Sequence, residues 1–275
     1  MINLFNYIER PSVIHRLTGA CKLLCLVTWS VAAMTSFHTP LLLAMTLASF
    51  VLFRMAKLKI SDISVVLALM GVYIVMNNVL IYLFSPEHGC GIYGSRTVLL
   101  TLVGRYTVTA EQLFYHLNVI LKNICTVPIV LLFVCTTNPS EFAASLNRIG
   151  VSYKISYAVA LALRYIPDIQ REYRDISLAQ QARGVEMSSK KAGVAQRLKA
   201  AGAILIPLIL SSMDRIETIS NAMELRGFGK NSKRTWYMSR KFSRMDVVFM
   251  AGSILIMILS LILTAWKGRF FNPFL

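Results

Sequence analysis

Two stretches of this chain, residues 63–84 and 247–266, are long, apolar and free of charge. About 20 consecutive apolar residues are what an α-helix needs to cross bilayer hydrocarbon, where each backbone polar group must be satisfied inside the helix. These runs fix the class as a membrane protein. Composition agrees: 56% of residues are apolar and 15% charged, against about 45–50% and about 25% in a soluble domain. An ordinary soluble enzyme and a disordered chain are both excluded. Three further segments extend the pattern. Residues 17–37 carry one charge, Lys22, placed to snorkel to the interface, and residues 113–137 carry only Lys122. Residues 40–53 follow Pro40 and are short for a span, so they read as a second helix, tilted or partly buried in protein. The expectation is an all-α polytopic protein with about five transmembrane helices.

The net charge of +16 is unusual for so apolar a chain. Residues 54–62 hold Arg54, Lys57 and Lys59, and the Lys/Arg bias of short loops places them in the cytoplasm. The N-terminus is then cytoplasmic, and the 85–110 loop lies outside. Residues 141–244 hold 18 basic and 8 acidic residues. A structureless loop of this length is rare, so this stretch reads as a cytoplasmic domain. The expected division is 1–137 for four membrane helices, 138–244 for the cytoplasmic helical domain, and 245–275 for the last span and tail.

Within that domain, Asn138-Pro139-Ser140-Glu141 opens a short helix that Gly150 ends. Two long helices follow, 153–182 and 195–225. Apolar residues at Ile155, Val159, Ala162, Ile166, Ile169, Tyr173 and Ile176 step by 4, 3, 4, 3, 4, 3, which is one helix face. The second stripe includes Leu198, Leu205, Ile209 and Ile216. Each helix has an interior proline, Pro167 or Pro207, which removes a backbone hydrogen bond and kinks it. The helices also end alike. Ile176-Ser177-x-Ala179-x-x-x-Arg183-Gly184 and Ile219-Ser220-x-Ala222-x-x-x-Arg226-Gly227 share five of nine positions at an offset of 43. Each glycine suits a left-handed helix terminus, and each arginine suits the negative end of the helix dipole. Two such arginines also suit a partner with two equivalent sockets, because a guanidinium is always charged and grips carboxylates in a bidentate fork.

Covalent chemistry has no evident seat here. Cys21, Cys25, Cys90, Cys125 and Cys135 form neither a disulfide framework nor a zinc spacing, and the pair at 21 and 25 reads as packing rather than metal binding. There is no Gly-x-x-x-x-Gly-Lys-Ser/Thr phosphate loop, so ATP hydrolysis must belong to another chain. No catalytic and no metal-ligating residue is expected. Nucleic acid binding is disfavoured, because the basic residues alternate with carboxylates such as Asp168, Glu172 and Asp175 and follow from topology. A self-sufficient secondary transporter is the alternative, but it calls for ionisable residues at mid-membrane, and only Lys122 approaches that.

The motifs Thr136-Thr-Asn-Pro-Ser-Glu141, Ala162-Leu-Arg-Tyr-Ile-Pro167, Gln181-Ala-Arg-Gly184 and Met223-Glu-Leu-Arg-Gly-Phe-Gly229 carry a family likeness, as does the start Ser12-x-x-His15-Arg16-Leu17. On these the chain resembles the transmembrane T component of energy-coupling factor transporters, including cobalt-type permease subunits. The resemblance implies two long crossed coupling helices whose tips dock on two ABC-type ATPase subunits. Ala182, Arg183 and Gly184 would form the first docking signature, and Leu225, Arg226 and Gly227 the second, with leucine where alanine is usual. It also implies a membrane-embedded S component that binds a vitamin or metal ion. Ile155, Val159, Ala162, Ile166, Leu205 and Ile209 supply the apolar face for it. ATP and magnesium would sit on the partners and no cofactor on this chain. The implied location is the cytoplasmic (inner) membrane of a prokaryote.

Overall fold

The computed structural model describes residues 12–101, 106–185, 194–231, 235–236 and 240–272. The described elements, in order, are α1 (Val13–Arg16), α2 (Gly19–Thr35), α3 (Thr39–Met55), α4 (Ile60–Phe84), α5 (His88–Tyr93), β1 (Val98–Thr101), β2 (Thr107–Thr109), α6 (Ala110–Thr136), α7 (Pro139–Arg148), α8 (Tyr153–Ala182), α9 (Val194–Leu225) and α10 (Arg244–Lys267). The chain is thus an all-α membrane protein apart from one small β1–β2 hairpin. It divides into two compact units: Met1–Asn138 with Arg240–Leu275, and Pro139–Ser239.

In the first unit, Ile63–Phe84 of α4, all of α6, and Arg244–Trp266 of α10 are long and apolar enough to cross a membrane. α2 and α3 are apolar too, at 17 residues each. Such a length rises about 26 Å, slightly under a hydrocarbon core of about 30 Å. Thr18 starts α2 by accepting from the Cys21 N–H, and Ser36 ends it where Ser-Phe-His-Thr-Pro leads straight into the next helix, with Pro40 in the first turn of α3.

The core of this unit is formed by α2, α3, α6 and α10. Trp29, Ala32, Ala33, Leu42, Met45, Cys125 and Leu132 are buried together. Small residues let the helix backbones approach closely where lipid offers no hydrophobic drive to pack. Cys21 and Cys25 face α10 and donate to the carbonyls of Asp246 and Phe249.

Two lysines bind α2 and α6 in an antiparallel pair. Lys22 does not snorkel to water; it is buried, and its Nζ donates to the Thr136 carbonyl at the end of α6 at 2.8 Å. Lys122 of α6 donates to the Met34 carbonyl at the end of α2 at 3.0 Å and lies 3.3 Å from the Phe37 ring centroid. Each helix therefore supplies a cation for carbonyls at the other's negative terminus.

The 85–110 segment is more ordered than a plain loop. Glu111 accepts from the Thr97 N–H at 2.9 Å, fixing the turn into the hairpin. Cys90 donates to Thr109 Oγ1 at 3.3 Å, and Gln112 Oε1 accepts from the Gly89 N–H at 2.7 Å. The C-terminal tail folds back on the α2–α3 turn, with the Phe37 N–H donating to the Arg269 carbonyl at 2.9 Å. The ring of Phe270 lies 4.7 Å from that of Phe37.

The second unit is built from α7, α8 and α9. α7 packs on α8, and α8 on α9. The Ser152 hydroxyl caps α8 by accepting from the Ile155 N–H. Pro167 and Pro207 lie inside α8 and α9, as the sequence requires.

Candidate functional site

The two helix tips close with the same pair of backbone hydrogen bonds. At the end of α8, Arg183 is the cap and Gly184 has φ +86°. The Gly184 N–H donates to the Gln181 carbonyl at 2.9 Å, and the Val185 N–H to the Gln180 carbonyl at 3.0 Å. At the end of α9, Gly227 has φ +67°, and its N–H donates to the Glu224 carbonyl at 2.8 Å. The Phe228 N–H donates to the Met223 carbonyl at 2.9 Å. Both are Schellman terminations, in which a glycine in the left-handed region closes the last turn. In these bonds each donor and acceptor of one tip lies 43 residues from its counterpart in the other. The sequence repeat is therefore also a backbone repeat.

Both arginines stand at the same place in this motif, and both are exposed. Ala182 and Gly184 are exposed beside Arg183. Leu225, which replaces the expected alanine in the second tip, is 90% exposed. A side chain this apolar gains nothing from water, so it is available to a partner surface.

The tips are held apart. Phe228, just past the second tip, lies 5.3 Å from the Tyr153 ring and 4.9 Å from the Tyr157 ring. Trp236 joins this cluster and donates through Nε1 to Asn147 Oδ1 at 3.1 Å. The tip of α9 thus sits beside the first turns of α8, while Arg183 ends α8 after its 30 residues. A helix of that length rises about 45 Å, so the two arginines are separated by a distance on the order of 40 Å.

Among the described residues, a polar cluster around Glu172 locks the helices between the tips, and sequence reasoning missed it. Glu172 Oε2 accepts from Arg215 Nη2 at 2.6 Å, and the Ser211 hydroxyl donates to Glu172 Oε1. Arg215 also lies 6.0 Å from the Tyr165 ring centroid. Glu172 and Arg215 are 43 residues apart, the offset of the repeat. Each is 11 residues from its own tip arginine. The contact therefore divides the two helices into equal outer arms of about 16 Å each. The repeat offset was the signal that could have singled out this pair.

The stripe residues of the coupling helices are open in this chain. Ile155 is 58% exposed and Ile209 56%; Ala162, Ile166 and Leu205 are likewise exposed, and Val159 is half-buried. On α9 the buried line is instead Ala200, Ile204 and Leu208, one turn-face away from the stripe. Among the described residues no group of three His, Cys, Asp or Glu side chains is placed to hold a metal ion.

Residues 10–237 match the family described as cobalt transport protein, CbiQ. The chain is similar to the energy-coupling factor transporter transmembrane protein EcfT of Leuconostoc gelidum subsp. gasicomitatum, with 29% identity over 178 residues, 62% of this chain and 66% of that protein. It is 28% identical to the EcfT of Bacillus selenitireducens over 258 residues, covering 91% of this chain and 92% of that one. A putative ABC transporter ATP-binding protein of Bifidobacterium longum is 27% identical over 260 residues, 89% of this chain but 31% of that protein. The chain thus spans just under two thirds of the first of these relatives and under one third of the last.

Proposed function

The chain belongs to the cobalt transport protein family, CbiQ, as a transmembrane component of the energy-coupling factor type, and we propose that it transmits ATP-driven motion between partner chains. In this reading Arg183 and Arg226 dock the tips of α8 and α9 in equivalent sockets of two ABC-type ATPase subunits. ATP and magnesium are bound and consumed on those subunits, and this chain does no covalent chemistry. Closure of the ATPase pair moves the sockets. The outer arms of α8 and α9 move with them about the Glu172–Arg215 contact. The apolar stripe around Ile155, Ile166, Leu205 and Ile209 passes the motion to a membrane-embedded S component, which carries a vitamin or metal ion inward. The protein is oriented with the tips in the cytoplasm of a prokaryotic cell.

The observation that carries this reading is the identical termination of α8 and α9, each presenting an exposed arginine at a Schellman cap. A helix-dipole role accounts for a cation at each tip taken singly. It does not account for two matched tips set far apart on arms of equal length. The Bifidobacterium longum relative, an ATP-binding protein in which a segment resembles this chain, supports an ABC-type partner. The alternative, a self-sufficient secondary transporter, is weakened by Lys122. Its ammonium is committed to the Met34 carbonyl and the Phe37 ring, at the end of α2, and serves helix packing.

Uptake in liposomes separates the two readings. The chain with ATPases and S component should transport only with ATP, and the chain alone should not transport. Substituting both Arg183 and Arg226 by glutamate should abolish ATP-dependent uptake. Transport by the chain alone, or full uptake by the double variant, would overturn the coupling role.

A further inference from the structure

The β1–β2 hairpin has no part in tip docking, and its two strands are unlike. In β2, Thr107 and Thr109 are buried, and Val108 lines a groove with Val79 and Tyr82 of α4 and Leu113 of α6. In β1 all four residues are exposed, Val98 at 45%, Leu99 at 59% and Leu100 at 56%. Successive strand side chains point to opposite faces, so neither face of β1 is covered by the chain. Three consecutive open apolar side chains on an edge strand are a liability in water.

The fastening of the hairpin sets the level at which this strand sits. Tyr106, just before β2, donates from its hydroxyl to the Leu83 carbonyl at 3.4 Å, and its ring lies 6.1 Å from that of Tyr82. Leu83 is next to the last residue of Ile63–Phe84, the apolar stretch of α4 long enough to cross a membrane. The hairpin is therefore tied to the end of a span, where hydrocarbon gives way to headgroups. Two neighbouring tyrosines suit that boundary, since rings with one apolar and one polar end gather there. A second protein strand is a poorer occupant than lipid. The pairing of β1 with β2 shifts register between Val98 and Leu100, and an irregularity there bends and twists an edge strand away from a further strand. Lipid needs only the apolar side chains and no regular backbone edge.

We propose that the β1–β2 hairpin is a membrane-interface anchor, with Val98, Leu99 and Leu100 set among lipid chains at the level of the last turn of α4. The Lys/Arg bias puts that end of α4 on the outer side, so the leaflet is the outer one. The anchor holds the outer end of α4 at a fixed depth. It is independent of ATPase docking and of which S component is bound.

Photocrosslinking of the full chain tests this. The photoreactive residue p-benzoylphenylalanine takes the place of Leu99 in one sample and of Glu87 in another. Both positions are exposed, and Glu87 pairs at 2.7 Å with the exposed Arg96 ahead of the strand. In liposomes of phosphatidylethanolamine and phosphatidylglycerol, irradiation should attach phospholipid at position 99 several-fold more than at position 87, read as the mass added to each peptide. In native membranes, where protein partners are present, the adduct at position 99 should again be phospholipid. With the photoreactive residue at position 98 instead, Leu99→Ser with Leu100→Ser should lower the phospholipid adduct several-fold. Equal labelling at 99 and 87, or a protein adduct at 99 in native membranes, would overturn the proposal. So would an undiminished adduct in the double serine variant.

Discussion

Arg183 and Arg226 occupy the same position in the same hydrogen-bonded turn, and that equivalence decides how substitutions at them should be read. Lysine keeps the charge and its favourable placement at a helix terminus but loses the planar fork that binds carboxylates bidentately. Arg183→Lys should therefore leave the thermal unfolding midpoint unchanged while reducing the ATPase that co-purifies by several-fold. If the arginine served only its own helix, the lysine variant would retain all of it. The glycines make a separate prediction. Gly184 has open space where an alanine methyl would sit, so Gly184→Ala meets no clash, only the strain of φ +86°. That strain is about 1–2 kcal/mol, and amide hydrogen exchange in the last turn of α8 should accelerate accordingly. These tips were legible in the sequence because a helix terminus is a local event. Ala-Arg-Gly and Leu-Arg-Gly state it in three residues. The Lys22 contact was not legible, because the carbonyl it serves is 114 positions away and belongs to another helix.

At the scale of elements, α8 and α9 meet at the Glu172–Arg215 contact, and in the proposed mechanism they act as two arms about it. Glu172 is largely buried and holds both Ser211 and Arg215, so its loss leaves a half-buried guanidinium without its carboxylate. A double-mutant cycle with Glu172→Gln and Arg215→Gln should give a coupling of about 1 kcal/mol in thermal unfolding. The functional effect should be larger than that figure suggests. In the proposed mechanism a loosened contact lets the tips move without moving the stripe, so ATP hydrolysis should continue while uptake falls. Unchanged coupling of hydrolysis to uptake in Glu172→Gln would show that the contact is only structural. The spans of the two helices were legible from periodicity. The contact itself was not, since Glu172 and Arg215 each read as ordinary members of a charged helix face. Only their shared offset of 43 ties them together.

At the scale of the whole molecule, a single carboxylate joins α2 to α10. Asp246 is fully buried. It accepts from the Thr18 N–H at 2.8 Å, the Thr18 hydroxyl at 3.2 Å and the Ser243 N–H at 2.7 Å. One carboxylate thereby caps α2 and α10 together across 228 positions of sequence. The Ser243-x-x-Asp246 spacing announces its local half, a capping box, but nothing in the sequence points to Thr18. Asp246→Asn can no longer offer acceptors to all three donors and should cost about 1–3 kcal/mol, measured as a lowered unfolding midpoint. Tip docking should be spared in that variant, because the tips belong to the other compact unit. The central claim is that this unit presents two equivalent anchors to two ATPase subunits. The most direct test is the amount of ATPase retained by the affinity-purified membrane chain with Arg183→Glu, Arg226→Glu and both. The account predicts partial retention in each single variant and none in the double variant. Full retention in the double variant would contradict it.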